Sequence, residues 1–373
     1  MSEIGFNRNT PFNDLPLLPP SAEIESDPDI LKKLVSASRA LASVNAHVMR
    51  LPNPFMLINT IALQEARTSS EIENIFTTED ELYKAVSDSL NEQKADAAAK
   101  EVIRYREALW AGYNFMKETD GLDLQLILSV FRQVKNTTSG IRPPQANVVI
   151  KRGQSELRAG EVIYTPPKGQ KIVEDLMDNL IEYLNDNKKY QTDPLIKMCI
   201  AHYQFEAIHP FQDGNGRTGR ILNLLYLVYA GLIFQPVIYL SKYMIINKTD
   251  YYYNLAAVTR LRAWKKWILF MLDAVEYTSV LTSNLINDIL EQMESTLNYG
   301  KSRMKWYSKE VNEAIFSQPY IKPRIIGSVL GKSSRTTLTK LLEELTGSNI
   351  LTPKKVGTEV YYLNEDLLRI LGG

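Results

Sequence analysis

With 373 residues the chain is long enough for two or three domains and a sizeable core, and its 45% hydrophobic and 23% charged content is that of an ordinary soluble protein. A single cysteine, Cys199, excludes an internal disulfide, and its place on an apolar helix face favours a buried, inert thiol. Three histidines (His47, His202 and His209) make no transition-metal cluster evident, and no apolar run reaches membrane length, so no membrane partner is expected. The 43 basic and 43 acidic residues cancel, but unevenly: from Lys301 onward 12 Lys and Arg face 7 Asp and Glu, a net of +5, so residues 1–300 carry −5. Met1 to Asn7 lack the basic and apolar signal of a leader, which sets the expectation of a cytoplasmic protein.

In chain order, Pro11 to Pro20 reads as an extended arm over the surface. Thr68-Ser69-Ser70-Glu71-Ile72-Glu73-Asn74-Ile75 follows; Ser69 and Glu73 are four apart and share a helical face, and Asn74 can adopt the left-handed conformation that ends a helix. Asn147–Lys151 and Glu161–Thr165 are β-like stretches, separated by a connection containing Arg152-Gly153-Gln154 and closed by Pro166-Pro167, which predicts a hairpin with a long connection. Asp193-Pro194 then caps a helix whose Leu195, Met198, Cys199 and Tyr203 recur at helical spacing up to Ile208. A second apolar helix is predicted from about Thr218 through Leu232, and a connecting helix from about Val280 to Tyr299.

The basic tail has its own pattern. Lys309 to Gln318 and Lys322 to Leu330 read as helices, Ser333 or Ser334 caps a third running to about Leu345, and Ile350–Val356 and Glu359–Leu363, turning at Gly357, form a wing. Three helices and a hairpin resemble a winged-helix module, in which the third helix enters a DNA major groove or the module docks protein. Lys332, Arg335, Lys340, Lys354 and Lys355 are the candidate phosphate contacts, so residues 301–373 are the candidate DNA-binding region.

Between the two apolar helices lies His209-Pro210-Phe211-Gln212-Asp213-Gly214-Asn215-Gly216-Arg217-Thr218-Gly219-Arg220, with one base, one acid, three glycines and two arginines. A tight glycine loop before a helix start leaves backbone N–H groups facing an anion. Arg217 and Arg220 stand where the helix dipole disfavours cations by up to about 1 kcal/mol each, so a bound anion is expected to compensate them. Gly214 to Gly219 match the dinucleotide pattern GxGxxG, but that pattern needs a preceding strand and an acidic residue about 20 positions on. Here a helix precedes it, and no Asp or Glu occurs between Asp213 and Asp250.

All twelve residues match the Fic signature HPFx(D/E)GNGRxxR, so the chain resembles the Fic family. The resemblance implies a mainly α fold: a helical core with a β-hairpin flap, an N-terminal helical region and the C-terminal winged helix (α+β). Its divisions are residues 1–105 with an inhibitory helix, 106–280 for the catalytic core, 281–300 for the connecting helix and 301–373 for the winged-helix-like domain. The implied activity is autoinhibited protein adenylyltransfer: AMP passes from ATP to a Ser, Thr or Tyr hydroxyl of a target protein or of the chain itself, and pyrophosphate leaves. In that reading His209 is the base, Asp213 the Mg²⁺ ligand, and the backbone of Gly214, Asn215 and Gly216 the anion hole. Arg217 and Arg220 hold phosphate by charge-assisted forks, with Thr218 and Gly219 between them in the nucleotide-binding loop.

Ser69-to-Asn74 fits the family's inhibitory pattern (S/T)xxxE(G/N), which implies that Glu73, with Ser69, engages Arg220 and blocks the γ-phosphate. The hairpin resembles the Fic flap, whose edge pairs with an extended target segment, with Ile163, Tyr164 and Thr165 nearest the site. Asn247 and Tyr251-Tyr252-Tyr253-Asn254-Leu255 resemble the family's YYxxL helix, which marks Tyr251 as the adenine contact. Leu128-Ser129-Val130-Phe131-Arg132 departs from the family, where many members carry a histidine before an arginine. A DNA-binding regulator that senses nucleotide, and an enzyme that removes AMP or transfers another nucleotide, are the alternatives, and self-association into a homo-oligomer is left open.

Overall fold

The helices begin where the sequence supplies caps. In the structure, a computed structural model that describes residues 6–51, 54–87, 95–119, 121–151, 160–356 and 359–372, Asp27 accepts hydrogen bonds from the N–H groups of Asp29 and Ile30, and Pro28 opens helix α1 (Pro28–Val48). Helices α2 (Pro54–Ile72) and α3 (Glu79–Val86) follow, the second opened by a capping box between Thr78 and Glu81. Next come α4 (Ala97–Thr119) and α5 (Leu124–Lys135), then a two-stranded hairpin, β1 (Ile150–Lys151) and β2 (Val162–Tyr164). The core continues through α6 (Ile172–Asn185), α7 (Pro194–Ile208), α8 (Asn215–Tyr229), α9 (Leu240–Ile246) and α10 (Lys248–Leu261).

Helix α7 is the centre of this body. It is buried on nearly every side, from Leu195 to Ile208, so its sequence is apolar all round and not along one stripe. A 40-residue helix, α11 (Trp264–Arg303), carries the chain out of the core. Its first half lies along α1 and α7, where Trp267 donates to the Cys199 carbonyl at 2.7 Å and the thiol is buried. Its second half places Ile286 and Ile289 in a separate apolar cluster with Val311, Ile315, Ile326, Leu342 and Leu345 of the C-terminal domain. The connecting helix expected from Val280 to Tyr299 is thus the distal part of one continuous element.

The tail folds as α12 (Lys309–Ile315), β3 (Tyr320–Ile321), α13 (Pro323–Leu330), α14 (Arg335–Gly347), β4 (Thr352–Val356), β5 (Glu359–Leu363) and α15 (Glu365–Gly372). The sheet order is β3-β5-β4, all antiparallel, with Val356 opposite Glu359; the expected turn at Gly357 lies outside the described residues. Strand β3 and helix α15 are elements that the sequence reading did not contain. Lys332, Arg335, Lys340 and Lys355 are exposed. Lys354 is not available in the same way: its ammonium reaches Asp80 of α3 at 2.6 Å, beside the Tyr320 hydroxyl that also donates to Asp80. The wing is therefore docked against α3, with Tyr83 and Tyr320 stacked at 6.1 Å.

The flap strands are shorter than expected. A register irregularity between Ile150 and Lys151 interrupts the ladder, and Pro166-Pro167 cannot extend it because proline has no N–H; Arg152-Gly153-Gln154 fall outside the described residues. The arm expected at Pro11–Pro20 is indeed without a regular element, but it is anchored, since Leu15 and Leu18 are buried.

Gly112 lets α4 approach its neighbours: a Cβ there would lie 2.6 Å from Leu225 Cδ1 of α8 and 2.8 Å from Val130 Cγ2 of α5, both fully buried. Gly112→Val is therefore expected to destabilise the protein by about 2–3 kcal/mol through overpacking. An unchanged urea midpoint would show that this seam is loose.

Candidate functional site

The loop between α7 and α8 is shaped by two left-handed residues. His209 ends α7 at φ +51°, its N–H still bonded to the Phe205 carbonyl at 3.0 Å, and Gly214 opens α8 at φ +84°. A side chain at Gly214 would meet Lys135 Cγ at 2.8 Å as well as the strain of that φ. Because Gly214 makes the turn, α8 begins at Asn215, three residues earlier than its apolar pattern indicated. Asn215 then staples the loop shut: Phe211 N–H donates to its Oδ1 and its Nδ2 donates to the Phe211 carbonyl, both at 2.9 Å.

Two residues that sequence reasoning missed clamp the loop from outside. Arg142 donates from Nε to the His209 carbonyl at 2.8 Å and from Nη2 to Pro167 at 2.5 Å and Ile208 at 3.2 Å. Phe131 stacks on Phe211 with ring centroids 3.7 Å apart, so the segment that departs from the family pattern supplies the floor of the loop. Lys135, one turn further along α5, reaches Asp213 Oδ2 at 2.5 Å, while Asp213 Oδ1 accepts from Gly214 N–H at 2.6 Å. Partial burial pushes the Asp213 carboxyl up, but Lys135 and the Gly214 N–H outweigh it and hold the group below its usual range. The Asp213 side chain is 71% exposed at the loop mouth.

Both signature arginines are buried and already held by carboxylates. Arg217 pairs through Nη1 with Glu101 of α4. Arg220, 1% exposed, donates from Nε to Ser69 Oγ at 2.7 Å and from Nη2 to the Ser69 carbonyl at 2.9 Å and Glu73 Oε1 at 2.7 Å. Asn74 at φ +62° ends α2, which puts Glu73 over the start of α8: a Cβ on Gly216 would lie 2.3 Å from Glu73 Oε1. The first N–H groups of a helix lack intrahelical acceptors, so this carboxylate stands where an anion is favoured. Helix α2 is itself fixed by polar ties. Fully buried Glu65 accepts from Ser241 N–H at 2.9 Å and from the Tyr105 hydroxyl at 3.1 Å, and Thr68 bonds the Tyr239 hydroxyl at 2.5 Å. Glu65, Ser69 and Glu73 are four apart, a helical spacing through which Glu65 was findable.

The remaining expected residues fall around this centre. His209 is half-buried and its Nδ1 has no hydrogen-bond partner; burial foremost pushes its pKa down to about 4, so it is neutral at neutral pH. Thr218 is wholly buried, and Gly219 faces α7, where a Cβ would lie 2.6 Å from Glu206 Oε1. Glu206 is pushed up to about 8 by burial, with Glu73 adding to the rise and Arg220 opposing it. Tyr251 is buried beneath the site with its hydroxyl 2.9 Å from His202 Nε2 and its ring among Trp267 and Phe270. In the flap, Tyr164 donates to the Ala207 carbonyl at 2.8 Å, which ties β2 to the end of α7, and Ile163 and Thr165 flank it. Among the described residues no group of three or more His, Cys, Asp and Glu is arranged to hold a metal, and no helix is long and apolar enough to cross a membrane.

The sequence matches the family profile described as Fic/DOC family N-terminal over residues 31–114, the Fic/DOC family itself over 121–227, and the C-terminal domain of SoFic-like protein adenylyltransferases over 290–367. It is 27% identical over 201 residues to a Caenorhabditis elegans protein named protein adenylyltransferase fic-1, covering 53% of this chain and 35% of the relative. Against the protein adenylyltransferase Fic of Aedes aegypti it is 24% identical over 265 residues, covering 67% of this chain and 50% of the relative. The chain thus spans only a third to a half of the length of these relatives. In fold it is similar to a crystal structure of a Fic family protein from Desulfovibrio desulfuricans G20, with TM-score 0.56, 20% identity and coverage of 90% of this chain and 96% of that one. A Caenorhabditis elegans Fic-1 structure matches with TM-score 0.52 and 20% identity, over 69% of this chain and 73% of that one.

His202 gives the site's foundation a pH signature. Burial, with the Arg220 charge, pushes its pKa down to about 3, and its Nδ1 has no partner. Below about pH 6.5 the unfolded chain takes up a proton that folded His202 refuses, so this group makes stability fall as the pH falls toward 3. His202→Gln is expected to flatten the decline of unfolding free energy between pH 6 and pH 4 by about 1.4 kcal/mol per unit, one proton's worth. An identical slope in denaturant titrations of the two proteins would mean that His202 protonates in the folded state.

Proposed function

Because the chain belongs to the Fic/DOC family, we propose that it is a protein adenylyltransferase held inactive by its own Glu73. The observation that carries this reading is the Glu73 carboxylate seated on Arg220 and over Gly216, where a terminal phosphate would otherwise be held. The target hydroxyl oxygen attacks the α-phosphorus of ATP, the new P–O bond forms as the bond to the β-bridging oxygen breaks, and that electron pair leaves with pyrophosphate. His209, neutral and at the loop mouth, takes the hydroxyl proton. The N–H groups at the start of α8 face the phosphate oxygens, and Arg217 and Arg220 bind the outer phosphates once their carboxylate partners are exchanged for them.

Asp213, whose side chain is 71% exposed at the loop, is the residue that would hold a Mg²⁺ together with phosphate and water oxygens. Bound there, the ion would neutralise charge between the α- and β-phosphates. Lys135 would give up part of its hold on Asp213 to admit it. Tyr251 is the proposed adenine contact, held in place by its hydrogen bond to His202 and its ring contact with Trp267.

Transfer measured with α-labelled ATP tests the reading. Glu73→Gly is expected to raise AMP transfer, including self-modification, at least about tenfold, and Glu73→Gly with Arg220→Ala to fall back to background, the non-additive result of coupled residues. Adding His209→Ala to Glu73→Gly is expected to reduce transfer at least about 100-fold while nucleotide binding survives. Label transferred from γ-labelled but not α-labelled ATP, or an unchanged rate in Glu73→Gly, would overturn the proposal.

A further inference from the structure

The flap end beside His209 is not bare. Phe12 N–H donates to the Thr165 carbonyl at 3.0 Å, and the Thr165 hydroxyl donates to the Arg8 carbonyl at 2.6 Å. Arg8 pairs with Glu161 at 2.5 Å, and Lys168 N–H donates to Asn13 Oδ1 at 2.8 Å. Phe6 stacks on Tyr164 with centroids 6.1 Å apart, and Phe12 meets the same ring edge-on at 6.3 Å. The segment, which turns at Arg8–Asn9 and again at Asn13–Asp14, is thus seated on the flap end by one backbone hydrogen bond, one hydroxyl bond, an ion pair and two aromatic contacts. It lies next to the loop, because Arg142 bonds both Pro167 of the flap and the His209 carbonyl.

The same arm is held far more firmly a few residues later. Leu15 and Leu18 are buried, Leu18 exchanges hydrogen bonds with Asn179 at 2.7 and 3.2 Å, and Gln204 donates to the Pro16 carbonyl at 2.9 Å. Residues 7–11 are exposed, and the Arg8 side chain is 47% exposed, so its ion pair is a solvent-screened one. A firm anchor at 15–18 with a weakly held segment ahead of it is a tethered ligand: the tether supplies a high local concentration, and the weak contacts permit exchange.

Resting on the flap's assignment to target docking, we infer that residues 6–13 are a built-in occupant of the target-docking end of the flap, and that this end selects target segments presenting an aromatic residue to Tyr164 and a basic residue to Glu161. An incoming target displaces the arm and repeats its contacts.

The test uses the full-length chain without nucleotide and a fluorescent peptide of the arm, Phe6 to Asn13. The double variant Arg8→Glu, Phe12→Ala, checked for an unchanged melting temperature, is expected to bind this peptide at least about tenfold more tightly than wild type, whose flap end is occupied. A peptide carrying the same two changes should not bind. Adding Glu161→Arg to the double variant should abolish binding of the native peptide and restore binding of a peptide in which Arg8 alone is changed to Glu. Equal affinity for wild type and the double variant, no saturable binding to the double variant, or no charge-swap rescue would overturn the inference. Since no ATP is present, these outcomes stand apart from whether AMP is transferred.

Discussion

A guanidinium buried to 1% exposure must have a negative partner, and in this protein nearly everything around Arg220 follows from that requirement. Ser69 satisfies two of its donor directions, but Ser69 is neutral; the charge itself is met by Glu73. Glu206 and Tyr251 lie within the same electrostatic neighbourhood, and burial pushes both up, toward the neutral form. Glu73 is therefore the anion that matters, and whatever removes it must bring negative charge of its own. A polyphosphate does so. On the proposed reading, competition for one fork links the two distant motifs of the chain more directly than any mechanical route between them.

For that competition to be decided by charge, both ends must be held still. The α7–α8 loop is fixed by Asn215 from within and by Arg142 and Phe131 from without. Helix α2 is fixed by Glu65 and Thr68 against α4, α9 and the segment before it. Arg67 on the same helix pairs with Glu79, and α3 in turn carries Asp80, onto which the wing of the C-terminal domain is latched through Lys354. Helix α2 and the C-terminal domain thus share a neighbour, while Glu73 and Asn74, just past the end of α2, are exposed.

Much of this could be read before the fold was known, for identifiable reasons. The loop was readable because its chemistry is local: histidine, glycines and arginines lie within twelve residues, and Asp193-Pro194 marks the start of the helix that presents them. Glu73 was readable only through a family pattern, since four-residue spacing alone does not say which cation a carboxylate will meet. Glu101, Lys135 and Arg142 were not readable, because each acts on a residue 67 to 116 positions away and no periodicity encodes such a pairing. Helix α11 was half seen, because its buried face changes partner from the core to the C-terminal domain along its length and so breaks a single apolar stripe. The arm was seen as surface chain, but its apolar anchors, Leu15 and Leu18, sit among prolines and carry no periodic signal.

The competition at Arg220 is tested most directly by equilibrium affinities for ATP and ADP, measured by calorimetry at matched Mg²⁺ on wild type and Glu73→Gly. If Glu73 holds the seat of the outermost phosphate, the variant should gain at least about tenfold in affinity for ATP relative to ADP. An ATP-to-ADP affinity ratio that is the same in both proteins would contradict the account.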